Sequence, residues 1–329
     1  MRVIVQGLGF IGRLTARACV EKGLDLVGCT DVDEELVGKD LGDLIGLERT
    51  GVRVTADLEQ VVENERADFL ISCTTSFVDE AYSHFMPALR RGINVISTCE
   101  TLVYPYHRYP EVAERIDAMA RENGARVIGA GINPGYLLDV LPAFLTAPIQ
   151  RINRIRCTRQ VDASKRRPSF RRKIGLGLTE GEFAESLKVG KITGHVGMTE
   201  SALLLADCLK VRVVEVTESQ TPILARADLG VNGAPIRSRT VAGIEARSSV
   251  RSDECLEIEL VFRAGVSLEE YEEVSIEGEP SVVWRSSGVP GDVSTAAYIV
   301  NLIPRVLELS PGLRLVSDLR LPSWWRGVG

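Results

Sequence analysis

Apolar residues in the first 130 positions fall into short continuous runs, separated by stretches with helical spacing. The runs at 2–6, 24–30, 68–75, 94–99 and 126–129 read as strands, with a shorter one at 52–55. Between them, residues 10–22, 58–65, 80–91 and 111–123 repeat apolar side chains at the helical period, and Gly23, Gly92 and Gly124 stop three of these helices. Continuous apolar strands alternating with helices predict a parallel sheet covered on both faces. The pattern changes after Asn133-Pro134-Gly135. A helix is expected over 136–146, followed by runs in which apolar and polar residues alternate, at 152–160, 211–218, 243–250, 255–262 and 271–285. Alternation suits a mostly antiparallel, open sheet with one wet face. Helical spacing returns at 293–309, where Pro304 predicts a kink or a break. The expected fold class is α/β, a parallel-sheet domain joined to an α+β domain.

Gly7-Leu8-Gly9-Phe10-Ile11-Gly12 sits between the first strand and the first helix. In that context each glycine has a physical task. Gly7 permits the tight turn, Gly9 lets the backbone approach a pyrophosphate, and Gly12 lets helix and strand pack closely. The helix N-terminus then offers free N–H groups, with Phe10 and Ile11 in its first turn, to the phosphates. The first domain is therefore read as a Rossmann dinucleotide-binding domain. Asp31 ends the second strand, where an acidic residue bonds the ribose hydroxyls of NAD; a turn or helix-cap role is the alternative. Asp33 and Glu34 add charge that repels a 2′-phosphate, and Arg13 is a counter-signal that could pair with one. NAD is favoured over NADP.

In an open parallel sheet, ligands bind beyond the carboxyl ends of the strands. Three segments are expected there: Cys73-Thr74-Thr75-Ser76, Ser97-Thr98-Cys99-Glu100 and Gly131-Ile132-Asn133-Pro134-Gly135. Thr74, Thr75 and Cys99 are assigned to the cofactor. Glu100 is the only acidic residue ending these three strands. A carboxylate beside a nicotinamide can exchange protons with an amine or a carbinolamine; a surface or capping glutamate is the other reading.

The net charge of −6 argues against a nucleic-acid partner. No apolar run approaches the ~20 residues of a membrane span. Seven scattered cysteines without a CxxC pair suggest reduced thiols in a cytoplasm. His84 and His107 lack partners at metal-ligand spacing, and no metal is expected. The basic stretch from Lys165 to Lys173 reads as a solvated loop or a substrate-side feature, and Trp324-Trp325 as packing.

Asn94-Val95-Ile96-Ser97-Thr98-Cys99-Glu100 resembles the strand-plus-glutamate signature of 2,4-diaminopentanoate dehydrogenases and the related native amine dehydrogenases. Gly131-Ile132-Asn133-Pro134-Gly135-Tyr136 resembles their Asn-Pro-Gly-aromatic turn. Lys173-Ile174-Gly175-Leu176-Gly177-Leu178-Thr179, Gly194-His195-Val196-Gly197-Met198-Thr199-Glu200-Ser201 and Gly291-Asp292-Val293-Ser294-Thr295-Ala296-Ala297, with Asn301 and Pro304 beyond, resemble further blocks. The resemblance spans nearly the whole chain. It implies the architecture of dihydrodipicolinate reductase, although the paired-histidine and lysine loop of those enzymes is absent and Asp162-Ala163-Ser164 stands near its place. Residues 1–133 are then the dinucleotide-binding domain, 134–290 a substrate-binding and dimerisation domain, and 291–329 a helical return to the first. Glu100 becomes the catalytic acid/base, and Asn133, Tyr136, His195 and Thr295 the substrate pocket.

The expected activity is NAD(P)-dependent oxidative deamination of an amine resembling 2,4-diaminopentanoate, or reductive amination of a ketone or aldehyde with ammonia. Another dehydrogenase on the same scaffold, acting on an amino acid or a hydroxy compound, and a non-catalytic dinucleotide sensor are the alternatives. A homodimer is expected, because an open sheet leaves an apolar face to cover and symmetric dimers are the commonest oligomers.

Overall fold

A computed structural model describes residues 1–231 and 234–328. They form two compact units: Met1–Tyr136 together with the chain from Pro290, and Leu137–Val289.

The first unit begins with β1 (Arg2–Gln6), α1 (Phe10–Glu21), β2 (Asp25–Thr30), α2 (Leu41–Ile45), β3 (Val54–Thr55), α3 (Leu58–Asn64), β4 (Phe69–Ser72), α4 (Val78–Leu89), β5 (Asn94–Ser97), α5 (Pro110–Glu122) and β6 (Arg126–Gly129). The second unit carries α6 (Val140–Leu145), β7 (Arg151–Asp162), α7 (Pro168–Lys173), α8 (Glu180–Lys188), α9 (Met198–Cys208), β8 (Val213–Leu224), β9 (Leu229–Val231), β10 (Ala234–Ile236), β11 (Val241–Ser252), β12 (Glu257–Gly265), β13 (Tyr271–Glu279) and β14 (Val282–Ser286). The chain then returns to the first unit as α10 (Gly291–Val306) and β15 (Gly312–Arg314).

The first unit is a seven-stranded sheet in the order β15-β6-β5-β4-β1-β2-β3, parallel throughout. Chain order reverses between β1 and β4. α3, α4 and α5 bury one face through Val61, Val62, Phe85, Leu89 and Ile116, against Ile4, Leu70 and Val95 of the strands. The strands end level. Register aligns Thr30 with Gln6, Gln6 with Ser72, Ser72 with Ser97 and Ser97 with Gly129, each the last residue of its strand. The residues that follow these five therefore all rise over one edge of the sheet.

In the second unit six strands run in the order β14-β13-β7-β12-β11-β8; β7 and β12 are parallel and the other neighbours antiparallel. α9 packs on β8, β11 and β12 and is buried from Met198 to Ala206. The apolar face that the sequence left to be covered is thus filled by a helix of the same unit. The other face carries Arg154, Arg156, Glu245, Arg247, Glu259 and Arg263 as a ladder of ion pairs.

Several elements differ from the sequence reading. The helix expected from 136 starts only at Val140, where the Asp139 side chain caps it. The run at 271–285 is a hairpin, β13 and β14, turning at Pro280 and Ser281. The late helix continues through Pro304 and stops two residues later, so the proline sits in its last turn rather than breaking it. The basic stretch is not a plain loop, since α7 occupies its second half. α8 had a legible start: Thr179 and Glu182 form a capping box. α9 had none, because a helix buried on all sides shows no amphipathic period.

Candidate active site

The glycine turn has the geometry its spacing demands. Gly7 is left-handed, with φ of 82°, and a Cβ there would lie 2.6 Å from the Cys73 carbonyl oxygen. A Cβ on Gly12 would lie 1.7 Å from the Gly7 carbonyl oxygen. Gly9, by contrast, has no atom within 4 Å of its Cβ position. It is the N-cap of α1, where no side chain caps the helix and no acidic residue occupies the first turn. Open space over Gly9 at a positive helix end that no side chain caps fits a pyrophosphate.

Asp31 directly follows β2 and does more than mark its end. Its Oδ2 accepts from Leu8 N at 2.5 Å and its Oδ1 from Asp33 N at 2.9 Å, so the carboxylate braces the glycine turn while staying partly exposed. Arg13 folds back, and its Nε donates to the Leu8 carbonyl at 2.7 Å. That bond aims the guanidinium at the protein's own backbone. Thr75 Oγ1 donates to Glu80 at 2.7 Å, and Thr74 Oγ1 lies 3.0 Å from His84 Nδ1. The His84 contact was not anticipated, because ten residues separate the pair in sequence.

Glu100 opens a short 3₁₀ turn, Glu100–Leu102, directly after β5. Thr101 staples that turn to the segment after β4. Its backbone N donates to the Ser76 carbonyl at 3.1 Å, and its Oγ1 accepts from Val78 N at 2.8 Å. Gly129, the last residue of β6, gives the turn room; a Cβ there would meet Leu102 and Val103 backbone atoms at 2.6 Å. Neither Thr101 nor Gly129 was singled out from sequence, since their work is contact between loops. Glu100 is half-buried, while Cys99 beside it is fully buried. Burial, and then the charge of Glu100, push the Cys99 thiol up to about 12, so it stays a neutral thiol.

The turn after β6 is held by α10. Thr295 Oγ1 accepts from Ile132 N at 3.3 Å, Tyr298 Oη donates to the Gly135 carbonyl at 3.2 Å, and the rings of Tyr136 and Tyr298 lie 5.2 Å apart. A Cβ on Gly135 would come within 2.8 Å of Gly131 N. The fold thus gathers Asn133, Tyr136 and Thr295, though their blocks lie more than 150 residues apart in sequence.

His195 belongs to the second unit. Its ring stacks on Phe262, with centroids 3.8 Å apart, and its backbone N donates to Gln220 Oε1 at 2.9 Å. Desolvation, then the nearby Lys173 and Arg159, hold its pKa well below the ordinary histidine value. It is therefore neutral near pH 7. Phe262 pairs in register with Arg159, whose guanidinium is buried against Glu272 at 3.3 Å. Of the basic stretch, Lys165 and Arg166 both pair with Glu270.

Comparison with known proteins decides the family. Residues 136–328 match the model of the 2,4-diaminopentanoate dehydrogenase C-terminal domain, and residues 1–101 that of the dihydrodipicolinate reductase N-terminus. A 2,4-diaminopentanoate dehydrogenase from Acetoanaerobium sticklandii is 32% identical over 98% of this chain and 94% of its own length. The chain belongs to the 2,4-diaminopentanoate dehydrogenase family.

As a member of that family it is an oxidoreductase that uses NAD(P). An amine dehydrogenase from Streptomyces virginiae is 32% identical over 53% of the chain and 50% of that relative. The solved amine dehydrogenase of Mycobacterium smegmatis superposes with a TM-score of 0.91 at 24% identity, over 100% of this chain and 98% of the other, which bears out the α/β architecture. Of the blocks that carried the resemblance in sequence, 94–100 is β5 with the turn after it, 131–136 is the turn after β6, and 291–297 opens α10. No helix among the described residues is long and apolar enough to cross a membrane.

Proposed function

We propose that the protein is an NAD(P)-dependent amine dehydrogenase that oxidatively deaminates an amine resembling 2,4-diaminopentanoate, or runs the reverse amination with ammonia, and that Glu100 is its proton-transfer residue. The supporting observation is the level sheet edge. It carries a glycine-cleared helix start without a side-chain cap after β1, the Asp31 carboxylate after β2, and the Glu100 carboxylate in a stapled turn after β5. The bound nicotinamide supplies the hydride acceptor. Glu100 takes a proton from the substrate amine so that the carbon can release a hydride. It then serves water addition to the iminium and returns a proton as the carbinolamine sheds ammonia. Asn133, Tyr136, His195 and Thr295 bind and orient the substrate, His195 as a neutral imidazole. Gly7, Gly9, Phe10, Ile11, Gly12, Asp31, Thr74, Thr75 and Cys99 hold the dinucleotide.

General acid–base help is worth ~10²–10⁴ in rate. Glu100→Gln keeps the shape and removes the basicity, so kcat falls by about that factor while NADH binding, followed by fluorescence, stays within about twofold. Near-normal turnover by Glu100→Gln would remove the assignment.

NAD is the preferred cofactor; this reading is supported by the partly exposed Asp31 carboxylate directly after β2, where a ribose hydroxyl can reach it, and by Arg13, which is turned onto the glycine turn. Steady-state preference for NADP would contradict this. The protein forms a homodimer through the second unit. The supporting feature is the sheet face of interleaved Arg and Glu, which can pair with a copy of itself. A monomer mass by light scattering at micromolar concentration would count against the dimer.

A further inference from the structure

We infer that His84 is a contact residue for the adenosine half of the dinucleotide, held in place by Thr74 and Gln6; the inference rests on the reading that the first unit binds a dinucleotide. Open parallel sheets take ligands where strand order reverses, which here is between β4 and β1. Gly7 leaves β1 at that point, and Thr74 follows β4 by two residues. Their backbones are close enough that a Cβ on Gly7 would lie 3.2 Å from Thr74 N.

His84 joins this pair from α4. Its Nδ1 lies 3.0 Å from Thr74 Oγ1. Its carbonyl accepts from Gln6 Nε2 at 2.9 Å, and Gln6 Oε1 accepts from Ser72 Oγ at 3.0 Å. α4 is thereby tied to the last residue of each strand flanking the reversal. The bond to Gln6 puts His84 on the side of α4 nearer β1 and β2, toward Asp31 and away from β5 and Glu100. Two strand spacings, about 10 Å, separate the ends of β4 and β2. That span suits a nucleoside whose ribose meets Asp31.

The imidazole itself is exposed to solvent. Nδ1 is taken up by Thr74, which fixes the ring plane and leaves Nε2 and the ring faces available. A fixed flat aromatic ring beside the carboxyl end of the sheet is a surface on which adenine stacks, and Nε2 can bond its edge or a ribose hydroxyl.

The test uses ADP-ribose, which has the adenosine and the diphosphate but no nicotinamide. Calorimetric titration compares the wild-type protein with His84→Ala and His84→Asn. Asparagine keeps a hydrogen-bonding group near the Nδ1 position, and so can still hold Thr74, but it has no ring. Both variants are expected to weaken ADP-ribose binding about tenfold, as the loss of one base–aromatic contact does, with thermal midpoints unchanged. Wild-type affinity in either variant overturns the inference. In particular, weak binding by His84→Ala with normal binding by His84→Asn would reduce His84 to a strut for Thr74. Failure of the wild-type protein to bind ADP-ribose would overturn the dinucleotide reading itself, and the inference with it.

Discussion

The two units place their polar groups by opposite means. In the first, the polar groups of the candidate site lie beyond the strands, in turns shaped by glycine: Asp31 against Leu8, Glu100 above Gly129, Asn133 between Gly131 and Gly135. In the second, charges lie within the sheet and are paired there. Arg159 and Glu272 meet at 5% and 1% exposure, and Glu272 also accepts from Val289 N and from Ser286. On the opposite face Glu245 and Glu259 are shared among Arg154, Arg156, Arg247 and Arg263. Turns keep backbone N–H groups and carboxylates near solvent and ligand, whereas a sheet interior admits a charge only with its counter-charge. A charged residue in the first unit's turns therefore reads as chemistry, and one inside the second unit's sheet reads as architecture.

The largest effect separating these readings is expected at Glu272. Glu272→Ala leaves Arg159 buried without its carboxylate, and breaking such a pair costs about 3–5 kcal/mol. Thermal unfolding should shift down sharply. A melting temperature near that of the wild type would show that the pair is not structural. Next comes Gly12→Ala in the first unit. Its methyl group would overlap the Gly7 carbonyl, and overpacking costs about 1–3 kcal/mol. If that strain deforms the turn, NADH binding weakens roughly 10–100-fold; unchanged binding by fluorescence titration would mean that the turn does not hold the dinucleotide. The smallest effect belongs to Arg251, whose pair with Glu215 on the open face is 60% and 53% exposed at 2.8 Å. Arg251→Ala should change stability by less than about 1 kcal/mol, because water screens the pair. A loss as large as that for Glu272→Ala would erase the distinction between the two faces.

The same contrast explains what the sequence made legible. Strands buried on both faces and helices stopped by Gly23, Gly92 and Gly124 declare themselves locally, so β1 was located to the residue and the other central strands to within a few. The glycine turn was legible because three glycines at fixed spacing serve one backbone shape. Glu100 was legible because, of the three strands expected at the ligand edge, the one at 94–99 is the one followed at once by a carboxylate. Thr101, Gly129, Gln6 and His84 were not, since each acts on a segment distant in sequence and no local pattern encodes the partner. β15 was missed because three residues make no periodic signal. α9 hid its helical period by being buried all round, and with it went the fact that the second sheet already has its apolar face covered.

The most direct measurement follows NADH and ammonia together when the purified protein meets 2,4-diaminopentanoate and NAD at alkaline pH. Deamination predicts one ammonia released for each NADH formed, with both falling together in Glu100→Gln. NADH formation without a matching release of ammonia would contradict deamination. No NADH from any amine or diamino acid, with NADH still binding, would point to a protein that senses the dinucleotide and does no chemistry on it.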